Sequence, residues 1–278
     1  ANPFKKGGSD FSGWSKDSAA TTIDYSDKDE RVFNLSNEPT KDANLYAVWD
    51  QQVWDITYNY VGIKEGIGRE KEVKNENPTS FDEETGVTFS DAKLKGYEFK
   101  GWYSDPACGV ESKIEVIQAG TSSDQTVYGK FEATKYTVIF DGNGHTSGVV
   151  DPQEFSYDQD KTALHTNEYI KEGYKFTQWK DEKGNVSTDG QEVQNLSSKG
   201  GTVKLYAQWE GDWYKIKYNG NGGKTAEGAS DYTTGEIKWN DKYSPDTNTF
   251  FLEGYTFDHW EDQYKNVYKP GSQYDHIA

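Results

Sequence analysis

The sequence predicts a strand-dominated chain of tandem units, each about 80 residues long, with few and short helices. Three observations carry this. A motif G-[YS]-x-F-x-x-W returns four times, short segments alternate apolar with polar residues, and glycine-asparagine turns lie between them.

The motif is clearest as Gly173-Tyr174-Lys175-Phe176-Thr177-Gln178-Trp179 and recurs at Gly96–Trp102, Gly254–Trp260 and, with Ser for Tyr, Gly8–Trp14. Its tryptophans, Trp14, Trp102, Trp179 and Trp260, are 88, 77 and 81 positions apart. A second marker, Leu205-Tyr206-Ala207-Gln208-Trp209, matches Leu45-Tyr46-Ala47-Val48-Trp49 and, loosely, Val127-Tyr128-Gly129-Lys130-Phe131. A third, Tyr136-Thr137-Val138-Ile139-Phe140, matches Tyr214–Tyr218 and Trp54–Tyr58. A fourth pairs Phe155-Ser156-Tyr157 with Ile237-Lys238-Trp239 and with Val87-Thr88-Phe89.

Each marker reads as a strand. Tyr214, Ile216 and Tyr218 face one side while Lys215 and Lys217 face the other, and Val203, Leu205, Ala207 and Trp209 alternate against Lys204, Tyr206 and Gln208. Asp141-Gly142-Asn143-Gly144 and Asn219-Gly220-Asn221-Gly222-Gly223 take positive φ cheaply and read as turns. The one helical or 3₁₀ turn is expected around 162–169, kept short by Pro245 in the last copy. Phasing by these markers gives 1–50 as the C-terminal half of a repeat, 51–132 and 133–210 as complete repeats, and 211–278 as a repeat lacking its last strand. The second of these runs only 7 positions from Phe89 to Gly96, against 16 from Tyr157 to Gly173, so a deletion and a long loop over 59–86 are expected.

Composition bounds the function. Lys+Arg number 30 against 47 Asp+Glu, a net charge of −17, and mean hydropathy is −0.99. Such a surface repels phosphate backbones and anionic membranes, which excludes nucleic acid as a partner. No run of about 18 apolar residues is present, so no direct membrane insertion is expected. Leu, Ile, Val and Phe total only 47 residues, so burial falls to nine Trp and twenty Tyr. Cys108 is alone, which rules out an internal disulfide framework, and the lack of any Met marks the chain as an excised piece. The ANPFKKGGSD start has no apolar stretch, so any signal peptide is expected to have been removed or to lie outside this fragment.

The order YTVxF, glycine turn, second strand, GYxFxxW, then LYAxW resembles the Listeria–Bacteroides repeat family, the B-repeats of internalin-like bacterial surface proteins. The resemblance covers essentially the whole chain. It implies an α+β unit similar to the β-grasp fold, strung along secreted or wall-anchored proteins as stalk and adhesion modules that contact host proteins or glycans.

Within the units, Phe11, Trp14, Trp49, Tyr97, Phe99, Trp102, Phe131, Tyr174, Phe176, Trp179, Trp209, Tyr255, Phe257 and Trp260 read as repeat core rather than as a sugar platform, because they recur in register. Gly173 and its equivalents read as entry turns. Trp213 falls outside the markers, beside the junction at 210–212, and is the candidate for ligand or inter-repeat contact. The glycine turns lack the helix and Lys-Ser/Thr of a phosphate loop. The acidic runs 24–30 and 82–84 lack EF-hand spacing, and His145, His165, His259 and His276 stand at no metal spacing. No metal, cofactor or catalytic residue is assigned, and the chain is not expected to be an enzyme. Asn34-Leu35-Ser36, Asn185-Val186-Ser187 and Asn195-Leu196-Ser197 match the glycan-acceptor pattern at chance frequency. Two other readings stay open: a carbohydrate-binding module, and strand donation into the open repeat at 211–278. Otherwise a monomeric piece of a longer array is expected.

Overall fold

The structure is a computed structural model that describes residues 2–28, 35–36 and 42–275. It divides into two compact units, Ala1–Thr134 with Ser156–Asp158, and Lys135–Phe155 with Gln159–Ala278. Asp29, Glu30, Asn34 and His276 lie outside the described residues.

The first unit opens with an antiparallel ribbon of β1 (Ser9–Ser15) and β2 (Tyr46–Gln51), in which Phe11 opposes Trp49 and Trp14 opposes Ala47 across a bulge. Next come β3 (Val53–Val61), β4 (Ser80–Asp82), β5 (Val87–Thr88), β6 (Tyr97–Tyr103), β7 (Lys113–Ile114), β8 (Val116–Ile117) and β9 (Gln125–Ala133). Five of them form one sheet in the order β4-β3-β9-β6-β7, with β5 and β8 paired separately. The central pair, β3 with β9, is parallel, and its neighbours are antiparallel. A parallel pair needs a long crossover, and 62–124 supplies it.

The second unit repeats this plan with β10 (Lys135–Asp141), β11 (Gln153–Ser156), β12 (Thr162–Ala163), β13 (Tyr174–Asp181), β14 (Val186–Ser187), β15 (Glu192–Val193) and β16 (Gly201–Gly211). The sheet order is β11-β10-β16-β13-β14, again with a parallel centre, and β12 pairs with β15. The two cores are built alike. Trp102 is buried against Tyr58, Phe89 and Phe99 at 5.1, 5.7 and 5.1 Å between ring centroids. Trp179 is buried against Phe140 and Phe176, both at 4.9 Å. The strand facing each indole carries a small residue, Gly129 opposite Trp102 and Ala207 opposite Trp179. A Cβ on Gly129 would stand 2.9 Å from the Trp102 ring, so smallness there is a packing requirement.

The remainder of the second unit carries only two-stranded pieces: β17 (Trp213–Tyr214) with β20 (Ile237–Lys238), β18 (Lys217–Asn219) with β19 (Asp231–Thr233), and β21 (Trp260–Glu261) with β22 (Val267–Tyr268). Among the described residues no strand stands where β16 stands in the preceding repeat.

Three expectations need correction. The second strand of the 51–132 repeat is β4, not Val87–Phe89: β4 pairs with β3, whereas Val87–Thr88 pairs with β8 as Thr162–Ala163 pairs with β15. Matched on that basis, Glu83 stands where Tyr157 stands, 13 positions before Gly96 against 16 from Tyr157 to Gly173, and most of the expected deletion disappears. No helical turn forms at 162–169, because Thr162–Ala163 is a strand and Leu164 is held by its N–H to Gln191 O at 2.9 Å. The short 3₁₀ turns lie instead at Arg69–Glu72 and Val110–Ser112. Finally, Tyr255 and Phe257 are not core: they are 75% and 42% exposed. Their segment keeps the motif positions Gly, Tyr, Phe and Trp, but among the described residues 255–259 pair with no strand.

Candidate functional site

Of the aromatics assigned to the repeat core, Tyr97, Trp102, Phe131 and Trp179 are buried, while Phe11, Trp14, Trp49, Phe99, Tyr174, Phe176, Trp209 and Trp260 are half-buried. Trp213 is 56% exposed on β17, opposite Lys238, whose amine lies 5.7 Å from its ring and 2.6 Å from Glu210. Lys238 thus lies between Trp213 and Glu210, the last residue of the 133–210 segment.

The recurrent construction is the junction at which one repeat gives way to the next. In the second unit, Asp212 N–H donates to Gly173 O at 2.9 Å, Trp239 N–H donates to Asp212 O at 2.8 Å, and the Trp239 indole lies directly on Gly173. In the first unit, Thr134 N–H donates to Gly96 O and Tyr157 N–H to Thr134 O, each at 2.9 Å, and the Tyr157 ring lies directly on Gly96. Gln52 N–H donates likewise to Gly8 O at 2.9 Å, and Glu83 takes the ring's place, 3.1 Å from where a Gly8 Cβ would be. Gly96 and Gly173 have φ of 82° and 72° and no room for a Cβ, two independent reasons for glycine. The motif glycine is thus both an entry turn and a seat for a side chain about 60 to 75 residues later.

The junction in the first unit also holds a charge pair that the repeat pattern does not reveal. Arg69 Nε donates to Asp158 Oδ2 at 2.8 Å and Nη2 to Oδ1 at 3.0 Å, a bidentate pairing on a carboxylate that is 3% exposed. Tyr97 O–H donates to the same carboxylate at 3.2 Å, and the guanidinium lies 5.4 Å from the Tyr157 ring. Hydrogen bonding to Asp158 holds the guanidinium firmly in its charged form, and burial raises the Tyr97 hydroxyl above its ordinary range. Arg69 sits in a loop outside all four markers, so spacing could not find it.

The last repeat contains a second polar cluster, Tyr218, Tyr243 and Asp246. Tyr243 O–H donates to Asp246 Oδ1 at 2.8 Å, Asp246 N–H donates to the Tyr218 hydroxyl at 3.0 Å, and the two phenols are 3.3 Å apart. Burial, followed by these hydrogen bonds, pushes the Tyr243 hydroxyl well up. Asp82 serves as a turn cap, accepting Thr85 N–H at 2.8 Å. Cys108 is buried, which pushes its thiol up and away from a reactive thiolate. Among the described residues no three His, Cys, Asp or Glu side chains gather as metal ligands, and no helix is long and apolar enough to cross a membrane.

Comparison with known proteins agrees with this repeat. The Listeria-Bacteroides repeat domain matches residues 1–48, 55–130 and 136–208. A protein of Evansella cellulosilytica named "Putative membrane protein" is 28% identical over 98% of this chain and 37% of its own length. Another from the same organism, named "Putative Gly-rich membrane protein", is 28% identical over 78% of this chain and 23% of its own length. The chain therefore spans only about a third of the first relative and a quarter of the second.

Proposed function

Since this chain belongs to the Listeria-Bacteroides repeat family, we propose that it is a non-catalytic spacer and adhesion region of a larger protein exposed on a bacterial surface, its units β-grasp-like. The observation that carries the reading is the glycine junction. The 51–132 and 133–210 repeats each build an aromatic core, Tyr157 adding to the first, while a one-residue linker, a seated side chain and two backbone hydrogen bonds tie successive segments, as at 173, 212 and 239. Such joints pair backbone polar groups on either side of the linker, which suits a spacer. The sheet order, with its parallel centre and antiparallel flanks, supports the β-grasp comparison. The relatives' names support a surface setting, and the charge of −17 keeps neighbouring copies apart in solution.

Small-angle scattering tests the spacer. A compact body of this length has a radius of gyration of about 19 Å. A monomer well above that value is expected, and one near it would end the proposal. The exposed indole of Trp213 favours a carbohydrate contact as a second reading. Under it, a glycan array shows binding that Trp213→Ala removes. The exposed rings of Tyr255 and Phe257 belong to the repeat register.

A further inference from the structure

Each complete repeat begins and ends on neighbouring strands that run the same way. In the 133–210 repeat these are β10 and β16, paired in parallel from Tyr136 with Gly201 to Asp141 with Tyr206. In the 51–132 repeat they are β3 and β9, paired in parallel from Ile56 with Gln125 to Val61 with Lys130. A parallel pair places the start of its first strand and the end of its second at opposite ends. Little slack separates these strands from their neighbours in the chain: Gln52, Thr134 and Asp212 are each the only residue between one strand and the next. A pull along the chain therefore draws β10 and β16 past each other. It loads the evenly spaced backbone bonds of the pair together instead of opening them one at a time.

Burial keeps water from replacing those bonds, since Val138, Phe140, Leu205 and Ala207 are buried in one pair and Ile56 and Val127 in the other. In the 133–210 repeat, side chains extend the grip past the end of β10. Asn143 Nδ2 donates to Ala207 O and Trp209 Nε1 donates to Gly142 O, both at 2.9 Å. The corresponding positions in 51–132 are Val61 and Phe131, whose side chains carry no donor. On its other edge β16 is held by β13, from Tyr174 with Gly211 to Asp181 with Leu205.

We infer that the first and last strands of each complete repeat form a shear clamp, which makes this chain a spacer built to carry tension, and that the clamp of 133–210 is the stronger of the two. The inference rests on the spacer reading, because a chain meets a steady pull only when it is held at both ends. It adds a property that length alone does not supply. Forced unfolding is governed by the unfolding barrier rather than by equilibrium stability, and a shear clamp raises that barrier for one direction of pull.

Single-molecule force measurements on the intact chain, pulled from two chosen residues in a Cys108→Ser background, test this. Handles on Lys135→Cys and Asp212→Cys shear the pair, whereas handles on Lys135→Cys and Thr202→Cys unzip it from one end. All three positions are exposed, so the handles leave the core intact. The shearing force is expected to exceed the unzipping force about twofold at one pulling speed. Handles on Val53→Cys and Thr134→Cys, which shear the 51–132 pair, are expected to give way at a lower force than those on 135 and 212. Trp209→Phe, which installs the ring already present at Phe131, is expected to lower the shearing force of 133–210 and leave its unzipping force where it was. Equal forces in the two geometries overturn the inference, as does a 133–210 clamp no stronger than that of 51–132, or a Trp209→Phe variant whose two forces fall together. Scattering reports the chain's dimensions at rest and force reports one strand pair, so failure here leaves the spacer reading standing.

Discussion

At the scale of single residues, the junction glycines and the Arg69–Asp158 pair do different work. Glycine at 96 and 173 is dictated by sterics, a seated ring and a positive φ, so it follows from the motif. Arg69 is one of two arginines in the chain and sits in a loop with no counterpart elsewhere. A carboxylate as enclosed as Asp158 survives as an anion only through its partners, and removing one such partner leaves an uncompensated buried charge, at a cost of about 3–5 kcal/mol. Arg69→Ala is therefore expected to destabilise the first unit by about 3 kcal/mol, read as a lower denaturation midpoint at unchanged slope. A loss below about 0.5 kcal/mol would mean that the pair is a surface ornament and that the Tyr157 seat alone makes the junction.

At the scale of elements, residues 211–278 gather phenols around one carboxylate, Tyr218, Tyr232 and Tyr243 about Asp246. Tyr232 and Tyr243 are both held above their ordinary hydroxyl range, first by burial and then by Asp246 and Tyr218. A raised folded pKa for a phenol means that the unfolded chain gives up its proton first. The associated stability is whole below about pH 10 and is lost as pH climbs past that value. The strands around Tyr218 are expected to open before the two five-stranded sheets in an alkaline titration, with exchange at 217–219 rising before exchange at 138–140. Tyr58, pushed by burial up to about 12, costs the sheet of the first unit stability over the same alkaline range. Simultaneous opening would show that Tyr218, Tyr243 and Asp246 are not what holds that repeat.

The same elements show what a sequence does and does not reveal. Period-two alternation located β3, β9, β10, β13 and β16, because each buries one face and the pattern is a direct record of burial. It misplaced the second strand of the 51–132 repeat, since Val87-Thr88-Phe89 alternates as well as Ser80-Phe81-Asp82 does and only pairing with β3 separates them. It could not foretell that Tyr255 and Phe257 lie open, because alternation records which face is apolar and says nothing about whether a neighbour covers it. The Arg69 and Tyr243 clusters were invisible for another reason. Each joins a marker tyrosine, Tyr97 or Tyr218, to residues outside the named strands, such as Asp158, Tyr243 and Asp246, whose contacts depend on where the chain returns rather than on any local period.

At the scale of the whole molecule, the two cores are the quantity that matters. Trp102 belongs to one cluster with Ile56, Val127 and Phe131, and Trp179 to another with Val138, Phe140 and Ala207. Among the described residues, none is shared between the two clusters. A chain held by one cooperative core would melt in one transition, with calorimetric and van't Hoff enthalpies equal; separate cores make the calorimetric enthalpy the larger. Trp102→Ala removes a buried indole, at about 3–5 kcal/mol. It is expected to lower one transition by about 10 °C while the transition that reports on Trp179 stays in place. Trp179→Ala is expected to give the mirror result. If either substitution moves both transitions together, the units are energetically one body, and the picture of repeats that fold independently and join through a glycine seat fails with it.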